Sequence, residues 1–314
     1  QDLSEAEMNA LIEEVRSQGD PHRGEFIYRR KELQCDVCHA LGGAGGNLGP
    51  DMISLGASAP IDYIIESLLS PNNKVKEGYH MTTVYTKDDR VFNGFVAMED
   101  DRQLVIRDAS GQETALAQSQ IDKKEIASVS MMPPGLTASL RRDEFIHLVR
   151  FLSELGKEGS FKVPPRRLVR RWRVLNFTSA IQESVRQGDQ RFYALEDDMK
   201  EWIPSYSTVR GVLPINTIPS AKRWLYLVAP LRFEIDVTSS GVAAIQFNAT
   251  LGMRAWVGET EATLENNQLR TALETGRHTI TLVVDRNAFP KATLEAELVD
   301  IEGSTAAVQL VSGP

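Results

Sequence analysis

Cysteine is scarce in this sequence: the 314 residues include only two, Cys35 and Cys38. This scarcity excludes a fold stabilised by several disulfides. No apolar run reaches membrane-spanning length, so we expect no transmembrane segment. Acidic residues outnumber basic ones, 43 to 35, and the resulting net charge of −8 disfavours nucleic acid as a partner.

The two cysteines lie in the sequence Cys35-Asp36-Val37-Cys38-His39. Two cysteines separated by two residues and followed at once by histidine form the pattern that attaches a c-type haem. The thiols form thioethers with the porphyrin vinyl groups, and the histidine binds the iron as its proximal ligand. The motif therefore predicts one covalently bound haem c, with His39 as an iron ligand.

Two other interpretations of the motif stay open. A thioredoxin-like dithiol has cysteines at the same spacing, within a βαβ surround. Half of a zinc site has the same cysteine spacing, but a complete zinc site needs a second Cys/His pair. The other histidines are far apart in the sequence: His22, His80, His147 and His278.

A glycine-rich segment, residues 41–49, follows the motif and leads into Gly49-Pro50. It lacks the lysine and serine of a phosphate-binding loop, and no strand is predicted before it. We expect its backbone to lie flat against the haem, with Gly49 and Pro50 contributing to the cofactor site. A carbonyl there would accept a hydrogen bond from Nδ1 of His39 and fix the orientation of the ring.

Met132 is predicted to be the sixth ligand of the iron. It precedes Pro133-Pro134, which stiffens the chain and holds the thioether at a defined depth. A neutral thioether favours ferrous iron and closes the iron to substrates, which favours electron transfer.

Four other residues are candidates for the sixth position. Met131 should point to the opposite side of an extended segment. Met52 follows the proximal histidine too closely, and an apolar residue there is expected to pack on the porphyrin. His80, in a predicted strand, is the runner-up and would give a bis-histidine site; Met81 follows it.

Helices are expected on both sides of the motif. Asp20-Pro21 starts one of them, and Gly24 within it predicts a close crossing with another helix. A helix ending near Leu155 and stopped by Gly156 has an apolar face suited to that crossing.

Between these helices, apolar residues recur at every second position. This predicts a small antiparallel β segment at about residues 79–128, inserted into an otherwise helical unit. Its expected strands are 79–86, 91–98, 103–108 and 113–118.

The composition changes after residue 158. A linker, 159–167, contains Pro164-Pro165 and is followed by a domain, 168–314, of many short β segments, which is typical of a β-sandwich. Its expected strands include 222–228, 231–237, 242–249, 253–258, 277–285 and 292–300. Four arginines near the linker form either a docking patch or, preferably, a solvated strand-edge face: Arg166, Arg167, Arg170 and Arg171.

Residues from about 19 to 157 resemble the haem-binding c-type cytochrome domains of Planctomycetes and Verrucomicrobia (the Pirellula/Verrucomicrobium type). The resemblance implies a cytochrome c domain, 1–158, interrupted by the β insertion. In that family such domains often end larger proteins with a sugar-dehydrogenase-like propeller, which these residues do not include. The matching stretches are 35–39, 49–51, 67–72, 76–79, the β insertion, 130–136 and 148–152.

Residues 165–314 resemble PA14-like β-sandwiches through stretches 253–258 and 276–285. That family includes carbohydrate binders, so Trp202, Trp224 or Trp256 could stack on a sugar, although core packing is the preferred role. The expected fold class is multidomain α+β: a mainly helical cytochrome c fold with an inserted small antiparallel β segment, then an all-β sandwich.

These features predict an electron-transfer protein that is not itself an enzyme and that serves a periplasmic dehydrogenase and a respiratory acceptor. Haem attachment takes place outside the cytoplasm, so a signal peptide is expected; either Gln1 is a mature N-terminus or the sequence is a piece of a longer chain. The alternative is a carbohydrate- or surface-binding protein with an auxiliary haem. An open-haem enzyme or gas sensor ranks last, because no catalytic triad, carboxylate pair or distal histidine supports it.

Overall fold

The computed structural model describes residues 3–187, 193, 200–223 and 225–311. The chain forms two compact units that divide between Lys162 and Val163. This division lies inside the predicted linker, 159–167. Each unit has its own elements and its own core.

The described residues of the first unit form six α-helices, most of them short. Asp20 caps the second helix by accepting hydrogen bonds from the amides of His22 and Arg23, with Pro21 as the first helical residue. The helices are α1 Glu5–Gln18, α2 Pro21–Tyr28, α3 Cys35–Cys38, α4 Leu55–Ser58, α5 Ile61–Leu69 and α6 Arg142–Glu154, with 3-10 turns at Lys31–Leu33 and Gln118–Gln120.

Helices α2 and α6 cross at Gly24. A Cβ at this position would lie 2.0 Å from the His147 carbonyl oxygen and 2.5 Å from Cβ of Phe151, so only glycine allows this approach. Helix α6 ends just before Leu155 and Gly156, and Gly156 has a φ of +81°. The predicted crossing and the predicted stop are both confirmed.

The β insertion is a five-stranded antiparallel sheet in the order β6-β5-β4-β3-β7. Its small core consists of Val84, Leu104, Ile106 and Leu116. The strands of the first unit are β1 Ala40–Leu41, β2 Ala44–Gly45, β3 His80–Thr86, β4 Val91–Glu99, β5 Gln103–Arg107, β6 Glu113–Ala117 and β7 Ile121–Ser130.

Strand β7 was not among the predicted strands. It lies at the edge of the sheet, and its eight residues between Ile121 and Ser130 are all exposed. An edge strand without a buried face has no alternation of apolar and polar residues, so periodicity gives no signal for it.

The second unit contains two larger antiparallel sheets. One has the order β15-β14-β18-β12-β8-β9, with β11 and β21 also paired to β12, and the other has the order β16-β17-β13-β20. The strands are β8 Arg171–Leu175, β9 Trp202–Tyr206, β10 Leu213–Pro214, β11 Ala221–Arg223, β12 Tyr226–Ser239, β13 Gly241–Phe247, β14 Met253–Val257, β15 Thr260–Ala262, β16 Leu264–Glu265, β17 Gln268–Leu273, β18 Gly276–Asp285, β19 Thr293–Leu294, β20 Ala296–Val299 and β21 Ala307–Leu310.

The two large sheets pack face to face. One core cluster contains Phe233 and Leu282 from the first sheet together with Ile245 and Leu298 from the second. A second cluster lies against a helix, α7 Ser179–Gln187, where Ile181 packs with Val283 and other side chains. The described residues of the second unit therefore form two separate apolar clusters.

The predicted strands 222–228 and 231–237 are not two separate strands: residues 222–223 belong to β11, and residues 226–239 form one long strand, β12. Pro230 lies within it, opposite Val283 of β18. Proline cannot donate a backbone hydrogen bond to a ladder. The structure accommodates it within a continuous strand.

The expected fold class is wrong. Strands account for 38% of the residues and helices for 23%, and the described parts of the chain form no mainly helical domain. In the first unit the helices range from 4 to 14 residues, and the inserted sheet gains a fifth strand. The second unit is not all-β, because it includes helix α7.

Candidate cofactor-binding site

The two cysteines bracket a single helical turn, α3. Gln34, in the left-handed conformation with φ +53°, leads into this turn. The amide of His39 donates to the Cys35 carbonyl at 2.8 Å and closes it. Both thiols are free and half-buried. Residues three apart in a helix share a face, so Cys35 and Cys38 are presented on the same side.

The imidazole of His39 is held by the backbone of the following loop. Its Nδ1 lies 2.9 Å from the carbonyl oxygen of Pro50. A carbonyl only accepts, so Nδ1 carries the proton and Nε2 keeps its lone pair. The hydrogen bond predicted at Gly49-Pro50 is confirmed.

Burial lowers the pKa of His39, although the Pro50 hydrogen bond and the charge of Asp51 act in the opposite direction. The ring is therefore neutral at pH 7. A neutral imidazole with a free Nε2 lone pair is the form that binds a metal.

Residues 42–51, here called the support loop, lie against the backbone of the motif. The amide of Gly46 donates to the Asp36 carbonyl at 2.9 Å, and the amide of Gly49 donates to the Cys38 carbonyl at 2.8 Å. A Cβ on Gly49 would lie 2.3 Å from Cε1 of His39, so the glycine backbone covers one face of the ring. The described contacts are with the motif, and contact of this loop with a haem stays a prediction.

Two further side chains fix the site, and sequence reasoning missed both. Tyr28 donates from its hydroxyl to the His39 carbonyl at 3.0 Å, and burial raises its pKa well above the ordinary value. The Asp51 carboxylate accepts from the amides of Gly42, Gly43 and Ile53 and closes the support loop. The position of Asp51 directly after Gly49-Pro50 was the one available signal; nothing in the sequence pointed to Tyr28.

The thiols do not have the character of a redox dithiol. Burial, with a smaller effect from the Asp36 charge, raises the pKa of Cys35 to about 12 and also raises that of Cys38. A dithiol that exchanges disulfides needs a stabilised thiolate at one cysteine. Here both thiols are held in the neutral form, which disfavours the thioredoxin-like interpretation.

A preformed zinc site is also unsupported. Within the described ranges, no three His, Cys, Asp or Glu side chains come together in a metal-binding group. A structural zinc ion takes four such ligands. A haem iron takes only two axial ligands from the protein, so this finding does not bear on the haem interpretation.

Met132 is half-buried in a bend just after β7. Its amide donates to Oγ of Ser130 at 3.0 Å, and the Ser130 amide donates to Oδ1 of Asn72 at 2.8 Å. The runner-up, His80, pairs with Ser130 across β3 and β7. The segment is well anchored, but the role of Met132 as sixth ligand stays a prediction.

The other methionine candidates are half-buried as well: Met52, Met81 and Met131. The amide of Met52 donates to the Ala40 carbonyl at 2.9 Å, which joins the residue that follows the support loop to the strand that precedes it.

In the second unit, the described tryptophans are covered. Trp172 is 2% exposed and Trp256 is 1% exposed, which confirms a core role for Trp256. Trp202 is half-buried, with the Arg232 guanidinium 4.2 Å from its ring centroid. Trp224 lies outside the described residues.

The four arginines near the linker have partners within the second unit. Arg166 pairs with Glu295 and Glu297, and Arg167 pairs with Asp300. Arg170 donates to the Val209 carbonyl at 2.9 Å, and Arg171 lies over the Tyr206 ring. This arrangement disfavours a docking patch for an acidic partner.

No protein-family model and no curated protein matches the chain. The resemblances to Pirellula-type cytochrome domains and to PA14-like domains therefore stay predictions. In the described parts of the chain, no helix combines the length and the apolar character that a membrane crossing requires.

Proposed function

We propose that this chain is an electron-transfer protein that carries one covalently attached haem c. Cys35 and Cys38 would hold the porphyrin, and His39 and Met132 would bind the iron. The bound haem supplies a one-electron couple between ferric and ferrous iron. The observation that carries the proposal is the His39 ring, fixed through Nδ1 by Pro50 next to two free thiols on one turn.

The residues fit covalent attachment. Attachment would add each thiol across a vinyl double bond of the porphyrin, with the sulfur bonded to one carbon and the hydrogen to the other, so it needs two free thiols. Cys35 and Cys38 are both free and lie on the single turn α3. Their spacing, with histidine directly after the second cysteine, is the pattern that attaches a c-type haem.

The support loop makes His39 a more strongly electron-donating ligand. The Nδ1 hydrogen bond to Pro50 raises the basicity of Nε2, as partners of metal-bound histidines do. Gly49 packs against the ring, and the Tyr28 hydroxyl donates to the His39 carbonyl. A rigid ligand changes little when the iron changes its oxidation state, which suits rapid electron transfer.

The partners we propose are a periplasmic dehydrogenase as donor and a respiratory protein as acceptor. The compartment follows from the covalent haem, which is attached outside the cytoplasm. His/Met ligation would leave no open position for a substrate, so the chain itself is proposed to be a carrier and not an enzyme.

The test is the haem content of the full chain, coexpressed with a haem-attachment system. We expect one haem per chain that resists acid–acetone extraction, by mass spectrometry and pyridine haemochrome absorbance. The double variant Cys35→Ser/Cys38→Ser should carry none. His39→Ala should lose the low-spin spectrum, whereas the control His278→Ala, whose ring also bonds a backbone carbonyl, should keep it.

The sixth ligand has its own test. Met132→Ala should change the visible spectrum and lower the midpoint potential, and Met131→Ala is the matched control. An unchanged spectrum and potential in Met132→Ala would refute this assignment. Rapid binding of CO to the ferrous wild-type chain would refute the closed site.

The alternative, a carbohydrate- or surface-binding function of the second unit, gains no support from its described tryptophans. Trp256 is buried and Trp202 is overlaid by Arg232. A glycan array with the full chain tests this alternative. Glycan binding that is lost in Trp202→Ala would support it.

A further inference from the structure

The inserted sheet makes a direct contact with the support loop through Arg107. This arginine ends β5, and its Nη1 donates to the Asn47 carbonyl at 2.6 Å. Asn47 lies between Gly46 and Gly49, the two glycines whose amides bond the motif. The contact therefore joins the middle of the loop to a different substructure, 60 residues away in sequence.

The Arg107 side chain is itself held in place. Its Nε donates to the Glu113 carboxylate at 2.9 Å across the β5–β6 pair, and its guanidinium lies 5.3 Å from the Phe95 ring centroid. Only 19% of the side chain is exposed. A guanidinium fixed by a carboxylate and an aromatic ring makes a well-oriented, charge-assisted donor.

We propose that Arg107 is a positioning residue, through which the inserted sheet holds the support loop against the motif. The loop in turn keeps the Pro50 carbonyl within reach of Nδ1 of His39. The effect on haem rests on the proposed function, whereas the clamping of the loop does not. This assigns a role to the insertion: its sheet acts as a brace for the proximal histidine.

The consequence for the ligand has a defined sign. A looser loop weakens the Nδ1 hydrogen bond and makes His39 a less basic ligand. A less basic ligand stabilises ferric iron less, so the midpoint potential rises. A merely structural role of Arg107 would reduce stability without this directed shift.

The first experiment measures amide hydrogen exchange at Gly46 and Gly49 in the full chain. Arg107→Met removes the hydrogen bond to Asn47, and exchange at both amides should accelerate about tenfold or more. Arg90→Met is the matched control, because Arg90 also pairs with an acid, Asp88, and lies 5.6 Å from a phenylalanine ring centroid in the same sheet. Equal exchange rates in the two variants would overturn the proposal.

The second experiment measures the midpoint potential of the haem-loaded chain. The potential should rise in Arg107→Met, stay unchanged in Arg90→Met and return towards the wild-type value in Arg107→Lys, which keeps a donor. An unchanged or lower potential in Arg107→Met contradicts the inference for the ligand.

Failures of the two proposals are distinguishable. If the wild-type chain attaches no haem, the proposed function fails and the exchange comparison still decides whether Arg107 holds the loop. If Arg107→Met does not fold, Glu113→Ala and Asp88→Ala replace the pair, because each removes the carboxylate that orients one of the two arginines. Exchange at Gly46 and Gly49 should then be faster in Glu113→Ala, and identical exchange in those two variants would overturn the clamp.

Discussion

At the scale of single residues, two backbone groups and one side chain hold His39. The Pro50 carbonyl fixes Nδ1, the bare Cα of Gly49 covers a ring face, and Tyr28 bonds the His39 carbonyl. Each contact leaves Nε2 uncommitted. The site therefore presents a single nitrogen lone pair beside two neutral thiols.

Gly49→Ala should disrupt this environment. The new Cβ would lie 2.3 Å from Cε1 of His39 and 2.5 Å from Nδ1, so the ring or the loop must move. We expect the low-spin spectrum of the haem-loaded chain to be lost. Gly43→Ala is the control: its φ of +79° strains an alanine, but no heavy atom lies within 4 Å of the new Cβ. The same spectral loss in both variants would show that the spectrum responds to any disturbance of the support loop, and contact with the ring would then not explain the effect.

The haem-free chain should lose stability at high pH because of Cys35. Burial raises the pKa of this thiol to about 12, from about 8.5 in an unfolded chain. Between these values the unfolded chain releases a proton that the folded chain keeps. The contribution of the Cys35 thiol to the free energy of unfolding is present in full below about pH 8.5. It is lost as pH rises above that value, by at most about 1.4 kcal/mol per pH unit.

Urea unfolding from pH 8 to 11 measures this effect. As pH rises, the free energy of unfolding of the haem-free chain should fall relative to that of Cys35→Ser. The reason is that the variant has no thiol at position 35 that could release a proton on unfolding. Tyr28 titrates in both proteins and cancels in the difference. Parallel curves would contradict the prediction, and the haem-loaded chain, with a thioether at Cys35, should lack this pH dependence.

At the scale of elements, the crossing of α2 and α6 and the brace from the inserted sheet place the site. The crossing positions Tyr28, whose ring lies edge-on to Phe151 at 5.8 Å. The sheet contributes Arg107 to the support loop. The crossing was predictable because a glycine within a helix indicates close approach, whereas the brace was not, because Arg107 and Asn47 share no local pattern.

Gly24→Ala should destabilise the first unit although alanine favours helix formation. The gain in helix propensity is about 1 kcal/mol. A Cβ 2.0 Å from the His147 carbonyl oxygen must force the helices apart, at about 1–3 kcal/mol or more. We expect a lower urea midpoint, and Arg23→Ala, at an exposed neighbouring position, should leave it almost unchanged. A more stable Gly24→Ala would contradict the close crossing.

At the scale of the whole molecule, each unit supplies its own core. The main core of the second unit runs from Val169 to Leu298 and contains residues of both large sheets. The core of the inserted sheet is made only of residues from the first unit. Two cores that share no residue are the condition for independent folding.

The fragment 163–314 should therefore fold alone. We expect cooperative thermal unfolding by circular dichroism, with a midpoint within about 5 °C of the corresponding transition in the full chain. The fragment 1–162 is the companion measurement. A fragment 163–314 that is unfolded at 25 °C would show that its stability depends on the first unit.

The sequence by itself determined the features whose chemistry is local: the two thiols and the histidine on one turn, the carbonyl at Gly49-Pro50, and the glycine at the helix crossing. In each case the residue type and its spacing carry the physical requirement. Only the tertiary structure decided the balance of strand over helix and the contacts of Tyr28 and Arg107. These depend on partners distant in sequence and on an exposed edge strand, β7, and neither leaves a periodic pattern in the chain.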